Sequence, residues 1–403
     1  MVHREVIVGL MKRLMEEEEA RSFHTSDDAV CAECFRDAGL KAFIKDHLES
    51  DTCTFCGKTS EDAIAAPADE VLQFFLEKVW EHYQPADGNA PWDNEEYRYF
   101  VKTWSLYDLV FDEFQEIADY STLEWLHEHL KDDGEYCERD WQILSPGAAL
   151  KSAWGQFSRA IKHETRFLFF SEGPNEDDGE PYRVRPAEML EALGNVIRDC
   201  GLIRKIDAGT RIVRGRSHEA GQTFTKVIDL GPPPENAAKS AGRMNAPGIV
   251  VMYGAFDAAT ALAEATGAHK DFSVAEFELL KDFLVVDLTH IPPVPSIFEN
   301  GPREYLLFLR QFAKEVSQPF TPDAELHIEY TPTQVVSEYL RHRFRDKAGQ
   351  RILGLLYNST KREGGVNLAL FVESEEVEGV PSDSWKPKER LLKMVRVDEV
   401  SKD

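Results

Sequence analysis

From residue 68 to 200, apolar positions recur at spacings of three and four, the period of a helix with one buried face. EVLQFFLEKVWEHY, EEYRYFVKTWSLYDLVFDEF, TLEWLHEHL, GAALKSAWGQFSRAIKHETRFLFF and PAEMLEALGNVIRDCGLI all carry it, which predicts an all-α domain. Aromatic residues this dense on helix faces belong to a core rather than to a cofactor box. The polar, turn-rich run SEGPNEDDGEPYRVRP over 171–186 breaks the series. Residues 1–22 predict a short amphipathic helix whose acidic run is a solvated face. After about residue 205 the texture changes to short β-rich runs: TRIVRGR, GIVVMYGAF, FLVVDLTHI, ELHIEY, ILGLLYNS, VNLALFV and LLKMVRV. Helical segments lie between some of them, namely DAATALAEAT, REYLLFLRQFAKEV and TPTQVVSEYLRHRF, so the C-terminal part reads as an α+β or α/β domain with a mostly continuous sheet.

A chain of 403 residues exceeds what one hydrophobic core usually supports, so several domains are expected. Lys and Arg number 46 against 72 Asp and Glu, and the formal charge of -26 repels phosphate backbones, which argues against a nucleic-acid partner. The N-terminus lacks a basic region followed by an apolar run and a small-residue cleavage site, and no stretch approaches the ~18 apolar residues of a membrane span. The expectation is a soluble, cytoplasmic protein with no membrane partner.

Four of the six cysteines stand in two CxxC pairs, CAEC at 31–34 and CTFC at 53–56, with eighteen residues between them. Each turn presents two thiolates on a tight loop, so Cys31, Cys34, Cys53 and Cys56 can close a tetrahedral shell around zinc. The competing reading is four free or disulfide-bonded thiols. A closed four-sulfur shell is structural, because no coordination position stays open for a substrate. LKAFIKDHLES predicts a short helix joining the two turns, His24 and His47 read as surface residues, and Cys137 and Cys200 as ordinary buried thiols.

The stretch GRMNAPGIVVMYGAFDAATALAE, residues 242–264, is where chemistry can gather. The turn formers PPP at 232–234 and NAPG at 245–248 hold the chain at the surface before a buried strand, which puts Arg243 on a loop at the strand's start. Tyr253 ends the apolar run, Asp257 is placed to cap a helix, and Glu264 follows about two turns later. Singly these residues read as a surface ion-pair member, a core aromatic and a solvated helix position. Together, ten and eleven residues apart, they can converge on one pocket. GxGxxG and GxxxxGK[ST] are absent, so neither a Rossmann fingerprint nor a P-loop competes for nucleotide binding.

This stretch resembles the RES family, named for its Arg, Glu and Ser. Its members carry a GR-aromatic-N segment, then PG, an apolar strand ending in Tyr, and a helix bearing Glu. Here Arg243, Tyr253 and Glu264 fill those places, with Met244 where the family often has an aromatic residue. LLYNST puts Ser359 at the family's serine, GGVNLALF follows it, and RIVRGR resembles the opening strand, so Arg214 or Arg216 supplies a second basic residue. The resemblance spans roughly residues 205–380.

The resemblance implies a fold similar to ADP-ribosyltransferase toxins and NAD as substrate, consumed by hydrolysis, phosphorolysis or ADP-ribosyl transfer. It implies catalytic roles for Arg243, Tyr253, Glu264 and Ser359, and NAD contacts from Arg214, Arg216, Arg243, Tyr253 and Asn245. In that scheme Glu264 stabilises the oxocarbenium-like ribose, Arg243 grips the pyrophosphate, Tyr253 offers a face to nicotinamide or a hydroxyl to ribose, and Ser359 positions the substrate. The helical region resembles the HEPN-like domain found ahead of some RES domains. Arg159 and His163 resemble the Arg-and-His signature of HEPN ribonucleases, but only three residues separate them where that motif usually has four to six, so binding or control is expected of this part rather than RNA cleavage. The expected layout is an N-terminal helix (1–25), a four-cysteine module (26–62), a helical domain (63–203), a RES domain (204–385) and a terminal strand and tail (386–403). A toxin or defence effector of this kind implies restraint by an antitoxin, another inhibitory protein or its own N-terminal half, and leaves room for a homo-oligomer. The rival readings are a sensor that holds NAD or ADP-ribose without turnover, and an RNA-cleaving helical domain with a degenerate RES partner.

Overall fold

The computed structural model describes residues 22–131, 134–168, 184–265, 271–318, 326–381, 385 and 387–401. The helix expected over 1–22 falls outside them except for Ser22, as does most of the loop expected over 171–186. The described chain divides into two compact units. One runs to Ile143 and takes in Val294–Arg303; the other comprises Leu144–Pro293 and the chain from Glu304 onward.

In the first unit β1 (Ala29–Cys31) pairs antiparallel with β2 (Ala65–Pro67). Between them α1 (Ala38–Asp46) begins at Asp37, whose carboxylate accepts the Leu40 N–H at 2.9 Å, as a helix N-cap should. α2 (Ala68–His82) follows, with Val71, Leu72, Phe75, Leu76 and Val79 on its buried stripe. The all-α expectation fails after it. β3 (Tyr83–Pro85), β6 (Thr103–Ser105) and β7 (Glu135–Glu138) form a three-stranded sheet in the order β3-β7-β6, and β4 (Trp92–Asp93) and β5 (Arg98–Tyr99) form a hairpin. These pieces are two to four residues long and rich in Tyr and Trp, too short to bury a helical stripe and well suited to a pleated surface. α3 (Tyr120–His129) completes the unit. Around the cysteines, Ala29, Cys31, Cys53 and Ala65 form a small cluster of their own, while Val30, Phe35, Leu40 and Ile44 share one core with Leu72, Phe75, Trp104 and Leu126.

The second unit takes two helices that the sequence pattern assigned to the first domain, α4 (Pro146–His163) and α5 (Met189–Asp199). Side chains far apart in sequence hold them: Trp154 Nε1 donates to Glu315 at 2.7 Å, Lys162 meets Glu329 at 2.7 Å, and Tyr339 donates to Glu191 at 3.1 Å. α4 stops at His163, so the expected continuation is not helical over 165–168, and Phe167 is exposed.

Eight strands form one sheet: β8 (Ile203–Ile206), β9 (Arg211–His218), β10 (Met252–Ala255), β11 (Asp271–Leu279), β12 (Phe283–Asp287), β13 (Gly354–Asn358), β14 (Val366–Leu370) and β15 (Leu392–Ser401). Their order is β15-β11-β9-β10-β14-β13-β12-β8, antiparallel throughout except for the parallel pair β12–β13. The terminal strand β15, expected outside the RES domain, is thus part of this sheet. ELHIEY, expected as a strand, is instead a helical turn over Leu326–Glu329; six residues of alternation cannot by themselves separate the two periods. Three further helices serve the sheet: α6 (Ala258–Glu264), α7 (Arg303–Ser317) and α8 (Thr331–His342).

Phe298 ties the inserted segment to the first unit's core: it is buried and stacks on Phe75 with ring centroids 5.3 Å apart. Phe298→Ala is therefore expected to cost about 3–5 kcal/mol, the usual price of a large core aromatic, and to lower the melting temperature. An unchanged thermal transition would show that 294–303 is not anchored there.

Candidate active site

The site begins at a fault in the sheet. β9 runs beside β11 over eight register pairs, from Asp271↔His218 to Glu278↔Arg211, but meets β10 at only one, Ala255↔Val213. Beyond that pair the strands part, and the residues on the two lips, Val213, Arg214 and Gly215 on one and Tyr253 and Gly254 on the other, line a cavity of about 580 Å³. Arg243, Glu264, Tyr330, Tyr357 and Asn367 line it as well. The guanidinium, phenol and carboxylate singled out from 242–264 thus face one hollow.

Glu264 arrives on α6, whose N-cap is Asp257: the carboxylate accepts the Thr260 N–H at 2.8 Å. Arg362 clamps this end, reaching Asp257 at 3.0 Å and Thr260 Oγ1 at 2.8 Å. At the other end, Glu264 Oε1 accepts from Ser359 Oγ at 2.6 Å and from Asn367 Nδ2 at 2.8 Å. Ser359 is buried and does not line the cavity; its hydroxyl also accepts from the backbone N–H groups of Lys361 and Arg362, both at 3.2 Å. Its hydroxyl is turned to the Glu264 carboxylate. Asn367 does the same from β14 and was not singled out in the sequence, although it stands in the quoted GGVNLALF.

Tyr253 is committed in a way its sequence position does not reveal. Its hydroxyl accepts from the Met244 N–H at 2.8 Å and donates to Asn245 Oδ1 at 2.8 Å, so the ring faces the cavity while the oxygen fastens the GRMN loop. Burial holds the phenol well above its ordinary pKa. Asn245 is buried, and its amide donates to the carbonyls of Ser240 at 3.1 Å and Ala246 at 3.2 Å. These bonds brace the loop, and Asn245 also lines a neighbouring cavity. A Cβ at Gly242 would collide with Asn245 Oδ1 and the Tyr253 hydroxyl, which is why glycine precedes Arg243. From α8, Gln334 Nε2 donates to the carbonyls of Gly242 (2.8 Å) and Asn245 (2.9 Å), and Thr333 donates to that of Arg243 (2.6 Å). These two residues were invisible in sequence because TPTQ reads as an ordinary helix start.

Arg243 spends part of its fork on protein: Nη1 donates to the Val316 carbonyl at 2.6 Å and to that of Gln318. The guanidinium carbon lies 5.5 Å from the Tyr330 ring centroid and 5.9 Å from that of Tyr357, within cation–π range. Arg214 differs. Its Nη1 is shut off from solvent and has no hydrogen-bond partner among the described residues. Burial, then the neighbouring charge of Arg216, pushes its pKa down to about 10, which leaves it cationic at neutral pH. Arg216 is absent from this cavity's lining and donates to the Asp229 carbonyl at 2.6 Å. Of the two candidate arginines, Arg214 is the one that lines the same cavity as Glu264.

Residues 210–391 match the RES domain, and residues 46–175 match HEPN/RES N-terminal domain 1. The chain carries a RES domain. No curated protein and no solved structure matches it. The RES family implies NAD-related, toxin-like function, and the cavity at the sheet's fault lies wholly within the RES match.

Ahead of the RES domain, the HEPN/RES match contains Arg159 and His163, both on α4. Both are exposed, and Arg159 meets Glu164 at 3.2 Å. The same match begins within the four-cysteine stretch. The thiols of Cys31, Cys34, Cys53 and Cys56 lie within 4.8 Å of one another and could hold a metal ion. Cys31 and Cys34 sulfurs are 3.7 Å apart, Cys31 and Cys56 3.7 Å, and Cys34 and Cys53 3.8 Å. A tetrahedron of sulfurs about 2.3 Å from zinc has an edge of about 3.8 Å, so the spacing fits. Burial raises the pKa of Cys53, but N–H donors from Cys56 (3.5 Å) and Cys31 (3.3 Å) outweigh it and hold the thiol at about 7. No helix among the described residues is long and apolar enough to cross a membrane.

Tyr253→Phe keeps the ring but leaves the Met244 N–H and Asn245 Oδ1 without their partner. The expected loss is about 1–3 kcal/mol of stability, seen as a lowered melting temperature. A variant as stable as the parent would mean that the hydroxyl does not fasten the loop.

Proposed function

We propose that this RES-domain protein cleaves the bond between nicotinamide and ribose in NAD. The observation that carries the reading is the arrangement around one cavity of Glu264, which accepts from Ser359 and Asn367, with Arg214 and Arg243 in the same lining. Nicotinamide leaves as a neutral ring from a pyridinium, so its departure needs no proton donor and one carboxylate suffices, unlike ordinary glycoside hydrolysis with its two. Hydrogen bonds from Ser359 and Asn367 fix the carboxylate in place, so that little reorganisation is needed as positive charge builds on the ribose. The Tyr253 ring gives nicotinamide a flat wall, since its hydroxyl is already engaged. Arg214 and the unspent part of the Arg243 fork face the anionic pyrophosphate. Water, phosphate or an acceptor side chain can each capture the same cation. Loss of NAD harms a host cell, so the reading carries with it an inhibitory partner or restraint from the N-terminal part of the chain.

The full chain incubated with NAD, with and without phosphate, is expected to release nicotinamide. Glu264→Gln should lower kcat by about 10²–10³-fold while leaving NAD affinity within a few-fold, because the charge acts in the transition state. Saturable NAD binding with no nicotinamide released from the parent chain would make the protein a sensor instead.

We also propose that the four thiolates hold one structural zinc. The purified chain should contain zinc in equal proportion. Its removal by a chelator, or the change Cys53→Ser, should lower the melting temperature, because metal binding and folding of such a loop are linked. Metal-free protein of unaltered stability would rule this out.

A further inference from the structure

α6 carries Glu264 but has little of its own to hold it in place. It is seven residues long, under two turns, and a helix that short is not stable in water by itself. Its side chains, AATALAE, are mostly small. Ala261 shares a small core cluster with Val213 and Phe272, and a Cβ at Gly215 would stand 3.1 Å from the Ala265 Cβ, so helix and strand β9 lie close. Small groups in contact keep a helix near a sheet without fixing how far it slides or turns, whereas a hydrogen bond requires a distance and an angle.

Those bonds come from one turn. The chain between β13 and β14 meets α6 at both ends. At the C-terminal end Ser359 Oγ donates to Glu264 Oε1 at 2.6 Å, and the same hydroxyl accepts from the Arg362 N–H at 3.2 Å. At the N-terminal end the Arg362 side chain returns: Nη1 donates to Asp257 Oδ1 at 3.0 Å, to Asp257 Oδ2 at 3.1 Å and to Thr260 Oγ1 at 2.8 Å. Thr260 is fully buried, and a Cβ at Gly365 would come within 2.8 Å of its hydroxyl, so turn and helix lie flush. The contacts close a ring, from the Arg362 guanidinium through the Asp257 cap and α6 to Glu264, and from there through Ser359 to the Arg362 backbone. Arg362 itself does not line the cavity, although its neighbours Thr360 and Lys361 do.

We infer that Arg362 is a positioning residue for Glu264, closing a ring of hydrogen bonds that sets where the carboxylate stands in the cavity. The inference rests on the reading of Glu264 as the catalytic carboxylate. Magnitudes separate this role from a merely structural one. The Arg362 and Asp257 side chains are 43% and 45% exposed, and ion pairs that open to water contribute little to stability. A catalytic group displaced by about 1 Å can lower a rate by about 10²-fold. Opening the ring is therefore felt in turnover far more than in the melting temperature.

The test uses the full chain with Arg362→Ala, and with Asp257→Asn, which keeps a cap acceptor for the Thr260 N–H but removes the charge facing Arg362. Nicotinamide release from NAD, melting temperature and hydrogen exchange across 258–264 are measured for each. Arg362→Ala is expected to lower kcat by about 10–100-fold, with KM within a few-fold and the melting temperature nearly unchanged, and added guanidinium ion is expected to restore part of the loss. Asp257→Asn acts in the same direction, and the double variant is no slower than Arg362→Ala alone, because both open the same ring. A kcat within about twofold of the parent, or a fall that follows the melting temperature and ignores guanidinium, overturns the inference. If the parent chain releases no nicotinamide, the cleavage reading falls and hydrogen exchange decides this one: faster exchange confined to α6 in Arg362→Ala upholds the positioning of the carboxylate, and unaltered exchange overturns it.

Discussion

The RES domain depends on a place where its sheet does not close. A continuous ladder between β9 and β10 would satisfy more backbone groups, yet the two strands share only the pair Val213–Ala255. The cost of an open ladder is met on both sides. β9 is held along its other edge by β11 over eight pairs, and β10 by β14 over four. The lips of the gap can therefore carry a half-buried arginine and an aromatic ring without fraying. Gly215 and Gly254 sit on those lips, where a side chain would press on Ala265 and Ala261 in one case and on the Val213 carbonyl in the other.

Around that gap, the groups facing the cavity are each positioned by something behind them. Glu264 takes its direction from Ser359 and Asn367, residues 95 and 103 positions further along the chain. The GRMN loop is tied down by the Tyr253 hydroxyl, by Asn245, and by Thr333 and Gln334 of α8. Arg341 of the same helix is buried and donates to the Val250 carbonyl at 2.9 Å, which fixes the run leading into β10. Arg214 is the exception, a half-buried cation whose Nη1 is shut off from solvent and has no partner among the described residues. Charge buried without a partner is costly in a fold and useful in a binding site.

Much of this was legible along the chain. Arg243, Tyr253 and Glu264 could be grouped because a loop, a strand and a capped helix follow one another over 23 residues, and short connections keep such elements adjacent. The two CxxC turns were legible for a similar reason, since each fixes two sulfurs locally. The strand β11 was overlooked although its signal is present: Ala275, Phe277 and Leu279 are buried and alternate with Glu276 and Glu278, which are less so. The sheet in the first unit was hidden for a better reason. Its strands are two to four residues long, and the aromatic residues that stabilise it also fit a helical stripe.

Sequence by itself determined which reactive groups stand close together along the chain, because residue type and local spacing are properties of the chain: a guanidinium, a phenol, a carboxylate, four thiols. It also determined that the C-terminal part is built on a sheet. Only the tertiary structure decided what each group is free to do. It spends the Tyr253 hydroxyl and one arm of Arg243 on the protein, turns Ser359 toward Glu264, brings Asn367 to the same oxygen, and aims Arg214 rather than Arg216 at the cavity. Apart from the placing of Arg214, those choices are hydrogen bonds between residues from about 10 to over 100 positions apart, and a hydrogen bond requires a distance and an angle that no linear spacing supplies at that separation.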